Sequence, residues 1–191
     1  MKTAGSIPVP VIMILSGLLF MSCMLPGMIP LNREPTGPMP AMEKDPDALI
    51  QALKAGEFVY LQALAEEQYT EEDFAKPGTL TFTVTIKDDQ PTYFNYGWCT
   101  TTEEILQQNF EHIQVKLYFE GQELGSDVVH PVTFTRPDGF VCLDFGVLMS
   151  EWSNGEYQLQ AVATFDEKIN DGDADFEAGD YIYEYNVTVN K

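Results

Sequence analysis

Positive charge is scarce in this chain. Ten Lys and Arg stand against thirty Asp and Glu in 191 residues, giving a formal net charge of −20 and a sequence pI near 4.1. A surface that neutralises phosphates is therefore missing, and nucleic acid is excluded as a partner. There are only two His and three Cys, with no Cys-x-x-Cys pair, so the ligand spacing of a zinc site does not occur. After residue 22 the only serines are Ser126, Ser150 and Ser153. A nucleophile, base and acid arrangement has little to draw on, because His112 and His130 read as surface or edge residues. No glycine-rich phosphate loop is present. Acidic pairs of the kind glycosidases use do occur, but a chain this acidic produces them by composition alone. A hydrolase ranks third among the readings the chain allows.

What is there divides into two kinds of polymer. Seven of the eight Met and eight of the twelve Pro fall within the first 46 residues, whereas 22 of the 23 aromatics fall at Phe58 or later. Residues 1–22 begin with a single cation at Lys2, run through the apolar stretch Val11 to Phe20 and end in small and sulfur-bearing side chains. That three-part layout is a signal peptide, and it makes the protein an exported one. The stretch from Val11 to Leu25, bracketed by Pro8, Pro10, Pro26 and Pro30, falls short of the roughly 20 residues a spanning helix needs.

Ser22-Cys23 after this run resembles the cleavage site of a bacterial lipoprotein, where a small residue precedes the cysteine that becomes diacylated. Phe20 and Met21 depart from the family's preference for Leu and a small residue at those places. The resemblance implies lipidation of Cys23 and anchoring on the extracytoplasmic face of the cell membrane. Ordinary cleavage nearby and an uncleaved anchor are the competing readings. Residues 23–45 contain Pro26, Pro30, Pro35, Pro38 and Pro40 with no apolar periodicity. They read as a semi-rigid Pro-rich tether that stands a domain off the membrane.

From Asp47 the pattern turns helical. Leu49, Ile50 and Leu53, then Phe58, Leu61 and Leu64, recur at three and four residues, and Asp45, Pro46 and Asp47 suit a helix start. Residues 46–76 are thus a short helical element. Gly56 allows either two helices, about 46–55 and 57–68, or one bent helix. At Thr79 the period drops to two. Leu80, Phe82, Val84 and Ile86 alternate with threonines, and similar alternation marks Ile113 to Phe119, Tyr157 to Phe165 and Tyr181 to Val189. Less regular runs at 92–98, 132–135 and 140–147 bring the count to seven or eight strands, separated by turns such as Arg136-Pro137-Asp138-Gly139. The fold class is mainly β: a seven- to eight-stranded antiparallel sandwich over residues 79–190.

Asn154-Gly155-Glu156-Tyr157-Gln158-Leu159 is similar to the segment that opens the penultimate strand of immunoglobulin-like and fibronectin type III-like domains. The resemblance implies that Tyr157 makes a tyrosine corner, bonding back to nearby backbone. Leu159 stands where an immunoglobulin domain has its second cysteine, so the usual bridge between sheets is absent there. If Cys23 is lipidated, Cys99 and Cys142 remain as an even pair in an exported domain, where a disulfide persists; two buried free thiols are the alternative.

Two further clusters are candidate binding sites. Asp171, Asp173, Asp175 and Glu177 crowd one loop, and oxygen ligands at that spacing could converge on calcium, the one cofactor the pattern points to. The loop is not an EF-hand, since Phe176 and Ile182 occupy the places of its Gly and bidentate Glu. A solvated loop that keeps the protein soluble is the competing reading. Tyr93, Phe94, Tyr96 and Trp98, with Trp152, could stack on a carbohydrate or peptide ligand, and alternation forces Tyr93 and Phe94 onto opposite faces. The leading expectation is a non-catalytic, lipid-anchored binding or structural module at the cell envelope, partnered by the membrane and by an envelope protein or carbohydrate. A secreted calcium-dependent ligand-binding module is its rival.

Overall fold

The computed structural model describes residues 37–191. The expected signal peptide (1–22), Cys23 and the first part of the expected tether lie outside the described residues. The chain begins with β1 (Ala41–Met42), α1 (Pro46–Ala55) and β2 (Val59–Tyr60). Two 3-10 turns at Gln62–Leu64 and Glu66–Gln68 precede α2 (Glu71–Phe74). There follow β3 (Gly78–Lys87), β4 (Thr92–Thr100), α3 (Glu103–Asn109), β5 (Ile113–Phe119) and β6 (Gln122–Glu123). The last part is β7 (His130–Thr135), β8 (Val141–Ser150), β9 (Gly155–Phe165), β10 (Ile169–Asn170), β11 (Asp175–Phe176) and β12 (Gly179–Asn190).

The structure is mainly β, as the alternation requires. One sheet runs β1-β8-β4-β2 with β7 also on β8, the other β3-β12-β9-β5-β6, and β10 pairs with β11. Because β4 spans the other side of β8, β1 and β7 share one side of it, end to end. Phe94, Tyr96 and Trp98 on β4 meet Tyr185, Tyr183 and Phe165 of the facing sheet, with ring centroids 5.8, 5.7 and 5.1 Å apart. Such pairs give the core its cohesion and its layer spacing. Tyr157 makes the corner expected of it, its hydroxyl donating to the Ser153 carbonyl at 2.9 Å.

Three departures from the expected architecture have clear causes. The ladders are not all antiparallel: β12 pairs with β3 in parallel from Gly78↔Tyr181 to Lys87↔Asn190, and β2 with β4 likewise. Alternation fixes which face a side chain takes and says nothing of a neighbour's direction. The first helix stands as expected, with Asp45 Oδ1 accepting from Asp47 N–H and Gly56 at φ +71° closing it. No second helix covers 57–68, because Val59 and Tyr60 add to β4 and the chain then turns twice. The stripe inferred there splits accordingly, Leu61 being buried and Leu64 exposed. The end of the stretch expected to be a tether is also part of the fold. Ala41 and Met42 pair with Ser150 and Met149, Glu43 N–H donates to the Leu148 carbonyl at 3.0 Å, and Pro40 is buried. A two-residue edge strand is short enough to lie beside prolines.

Candidate functional site

While β4 turns Phe94, Tyr96 and Trp98 inward, it turns Tyr93, Asn95, Gly97 and Cys99 to the other face of its sheet. There they lie beside Leu148, Gly146, Asp144 and Cys142 of β8. That outer face is not a wet one. Tyr93 is buried with Phe58 and Tyr60 packed edge-on at centroid distances of 5.9 and 5.4 Å, and Asn95 and Asp144 are buried as well.

Two glycines make the arrangement possible. A Cβ on Gly97 would collide with Asp144 Oδ1, and a Cβ on Gly146 with the ring and hydroxyl of Tyr93. The carboxyl and the phenol therefore lie flat across the backbone of the neighbouring strand. Asn95 Nδ2 donates to Asp144 Oδ2 at 3.1 Å. Among the described residues no cation pairs with Asp144. Burial consequently pushes its carboxyl up to about 6, against the pull of the Asn95 bond. Burial, and then the Asp144 charge, raise the phenols of Tyr60 and Tyr93 in turn. The Tyr93 hydroxyl and Asn95 Oδ1 are buried without a hydrogen-bond partner, as is Nε2 of His130, which lies across from Gly146. The set offers an amide acceptor, a phenol and a carboxyl whose proton is exchangeable near neutral pH. These are groups that can hold a polar atom such as a bound water, and a buried acceptor left unmet is costly.

Of the residues singled out in the sequence, Cys99 and Cys142 form a disulfide, with S–S 2.07 Å and Cα atoms 4.0 Å apart, on this same outer face. It joins adjacent strands of one sheet rather than bridging the two sheets. The five aromatics proposed for stacking are not brought together. Tyr96 and Trp98 are core residues, Trp98 packed on Phe165 and Phe176, and Trp152 lies elsewhere in the core against Phe119 and Tyr157. Tyr93 alone takes the other face, beneath Phe58 and Tyr60. Alternation separates the two sets correctly but cannot show that both faces are covered.

The acidic loop does not converge either. Asp171 Oδ1 accepts from the N–H groups of Asp173 and Ala174 at 2.8 and 2.7 Å and so shapes its own turn. Asp175 accepts from Asn170 at 2.6 Å, and Lys168 lies 3.1 and 3.0 Å from Asp175 and Glu177. Among the described residues no group of three His, Cys, Asp or Glu is placed to hold a metal ion. At the nearby end of β5, His112 Nδ1 is 2.9 Å from Asp166 and Nε2 3.4 Å from Glu167, and the Asp166 bond foremost raises its pKa.

Asp144 and Asn95 are missed by sequence reasoning, though each carries a signal. Asp144 interrupts the apolar run Val141 to Met149, and Asn95 stands between Phe94 and Tyr96. An acid inside a buried strand needs a local reason.

No protein-family model and no curated protein sequence matches this chain. A chain of the solved structure of PbICP-C in complex with falcipain-2 aligns over 61% of this chain and 92% of its own length, at 11% identity and a TM-score of 0.34.

Proposed function

We propose that this protein is a non-catalytic, lipid-anchored module on the extracytoplasmic face of the cell membrane, binding or supporting another envelope component. The Cys99–Cys142 disulfide is the observation that carries the reading, since such bonds persist in oxidising compartments and are rare in reducing ones. The signal-like residues 1–22, Ser22-Cys23 and the Pro-rich stretch after them agree with it. The buried polar cluster of Tyr93, Asn95 and Asp144 agrees with a non-catalytic role, because it includes no activated nucleophile. One acyl chain binds membranes only marginally, so Cys23 carries at least two.

Intact mass of the chain taken from its own membranes tests this. The expected result is a mature protein beginning at Cys23 with acyl additions, and a Cys23→Ser variant that leaves the membrane fraction. An unmodified Cys23, or a variant that partitions as wild type does, overturns the anchor.

A further inference from the structure

The two sheets end differently at their long edges. On β3 the outward backbone groups of Thr81 and Thr83 are met by side chains. Gln68 Nε2 donates to the Thr83 carbonyl at 3.1 Å while Thr83 N–H donates to Gln68 Oε1 at 3.0 Å. Tyr69 does the same two residues away, its hydroxyl donating to the Thr81 carbonyl at 3.1 Å and accepting from Thr81 N–H at 3.2 Å. A glutamine and a tyrosine thus stand in for a neighbouring strand.

Among the described residues nothing comparable covers β7. Its register with β8 is continuous from His130↔Gly146 to Thr135↔Val141, and just beyond it Arg136 N–H donates to the Phe140 carbonyl at 2.8 Å. That bond sets the phase of the ladder. Opposite residues in an antiparallel pair alternate between exchanging bonds and pointing their groups away. Phe134, Val132 and His130 therefore bond β8, while Pro131, Thr133 and Thr135 aim theirs outward. The N–H that Pro131 lacks is one that would have faced out, so the ladder is intact. Three carbonyls and the N–H groups of Thr133 and Thr135 have no partner among the described residues. Natural edges of this length are blunted by a bulge, a lysine, a proline or a cover, and of these β7 has only Pro131 at its second residue, which removes one outward N–H and leaves those of Thr133 and Thr135. From His130 to Thr135 the strand has no bulge and no Asp, Glu, Lys or Arg, and Phe134 is 39% exposed beside half-buried Val132. β1, β2 and β6 are two residues each, so among the described residues β4 beyond Tyr93 and β5 before Tyr118 also lack a paired strand on one side, but β4 is largely buried, β5 has a single exposed residue, and β7 alone of the three exposes most of its length.

The geometry points to β7 as a docking edge that takes an extended, basic segment of a partner protein as an added strand of the sheet. Backbone bonds to Thr133 and Thr135 would supply affinity, and Val132 and Phe134 an apolar side-chain contact on one face. The basic character follows from charge: a chain at −20 attracts a cationic segment and repels a second copy of itself. This reading does not depend on whether Cys23 carries lipid.

Residue-resolved hydrogen exchange on the full chain tests it, with a synthetic peptide alternating Lys and Val as probe. In the free chain the Thr133 and Thr135 amides are expected to exchange fast and those of Thr81 and Thr83 slowly. The Lys peptide should slow Thr133 and Thr135 by about tenfold or more, the effect weakening with salt. The same peptide with Glu for Lys, or N-methylated at alternate residues, should not. Thr133→Pro removes an outward N–H and leaves the ladder to β8, so it should melt near wild type and lose the peptide. Slow exchange of Thr133 and Thr135 in the free chain overturns the proposal: at all concentrations it means the chain's own N-terminal segment fills the edge, and with concentration it means a second copy does. Equal binding of the Glu peptide, binding unchanged in Thr133→Pro, or no protection at millimolar Lys peptide also overturns it.

Discussion

Asp144 is the residue whose chemistry departs most from its composition. A carboxyl raised by burial from 3.8 to about 6 holds its proton in the folded state where the unfolded chain has released it. Its contribution to stability is fully present below about pH 4, falls as pH rises toward 6 and is constant above that. The free energy lost across that window is about 3 kcal/mol, an order-of-magnitude figure. Other carboxyls act in the opposite sense and obscure the curve: bonds from Thr70, Lys44 and Asn170 hold Asp73, Asp127 and Asp175 low, and their contribution is lost as pH falls. The difference between wild type and Asp144→Asn isolates the one group. In urea unfolding, Asp144→Asn is expected to be the more stable by about 1–3 kcal/mol at pH 8, with the gap closing at pH 4. A gap independent of pH would mean that the carboxyl titrates normally.

At the scale of elements, the segment between α1 and β3 shows how tertiary pairing overrides a local pattern. Apolar residues at three and four positions apart read as a helix, yet Val59 and Tyr60 gain a parallel ladder with Thr92 and Tyr93, and the following turns place Gln68 and Tyr69 at the rim of β3. Cover of the edge is then a function of two side chains. In Gln68→Ala, the Thr83 amide is expected to exchange about tenfold faster and the fold to lose about 1 kcal/mol, the worth of two solvent-accessible hydrogen bonds. Thr81, served by Tyr69, should be little changed. Equal acceleration at both threonines would show that the segment detaches as a unit instead. By contrast, α3 carries a local signal that the alternating runs around it obscure: Thr102 caps it, accepting from Ile105 N–H at 3.3 Å, and Glu103 and Glu104 occupy its first turn.

For the molecule as a whole, the disulfide closes a loop of 43 residues that includes α3, β5, β6 and β7. In the chain-entropy account a loop of that size stabilises by about 4 kcal/mol, chiefly by restricting the unfolded chain. The double variant Cys99→Ala, Cys142→Ala should therefore unfold at lower urea concentration by about 2–4 kcal/mol, and reductant should destabilise wild type but not the variant. Non-reducing peptide mapping should recover the linked pair. A wild type indifferent to reductant under unfolding conditions would remove the stabilising role. Because β4 and β8 also share nine register pairs from Thr92 to Thr100, the variant is expected to keep its fold.

The sequence by itself determined the mainly β class, the long strands and the start of α1, which follow from short-range rules: a period of two and capping chemistry. Between a Cys99–Cys142 bond and two free thiols the tertiary structure decided, by setting the two cysteines opposite one another on adjacent strands. Only the tertiary structure decided what lies against what. Alternation placed Tyr93 opposite Tyr96 and Trp98, but whether a face is wet depends on segments far along the chain, here Phe58 and Tyr60. Between a convergent ligand set and a solvated loop the spacing of the acids leaves the choice open, and the partners of Asp171, Asp175 and Glu177, which are the loop's own N–H groups and Lys168, are set by the folded loop. The buried polar cluster around Asp144 required two glycines on different strands to face one carboxyl and one phenol, a coincidence of register that no local pattern encodes.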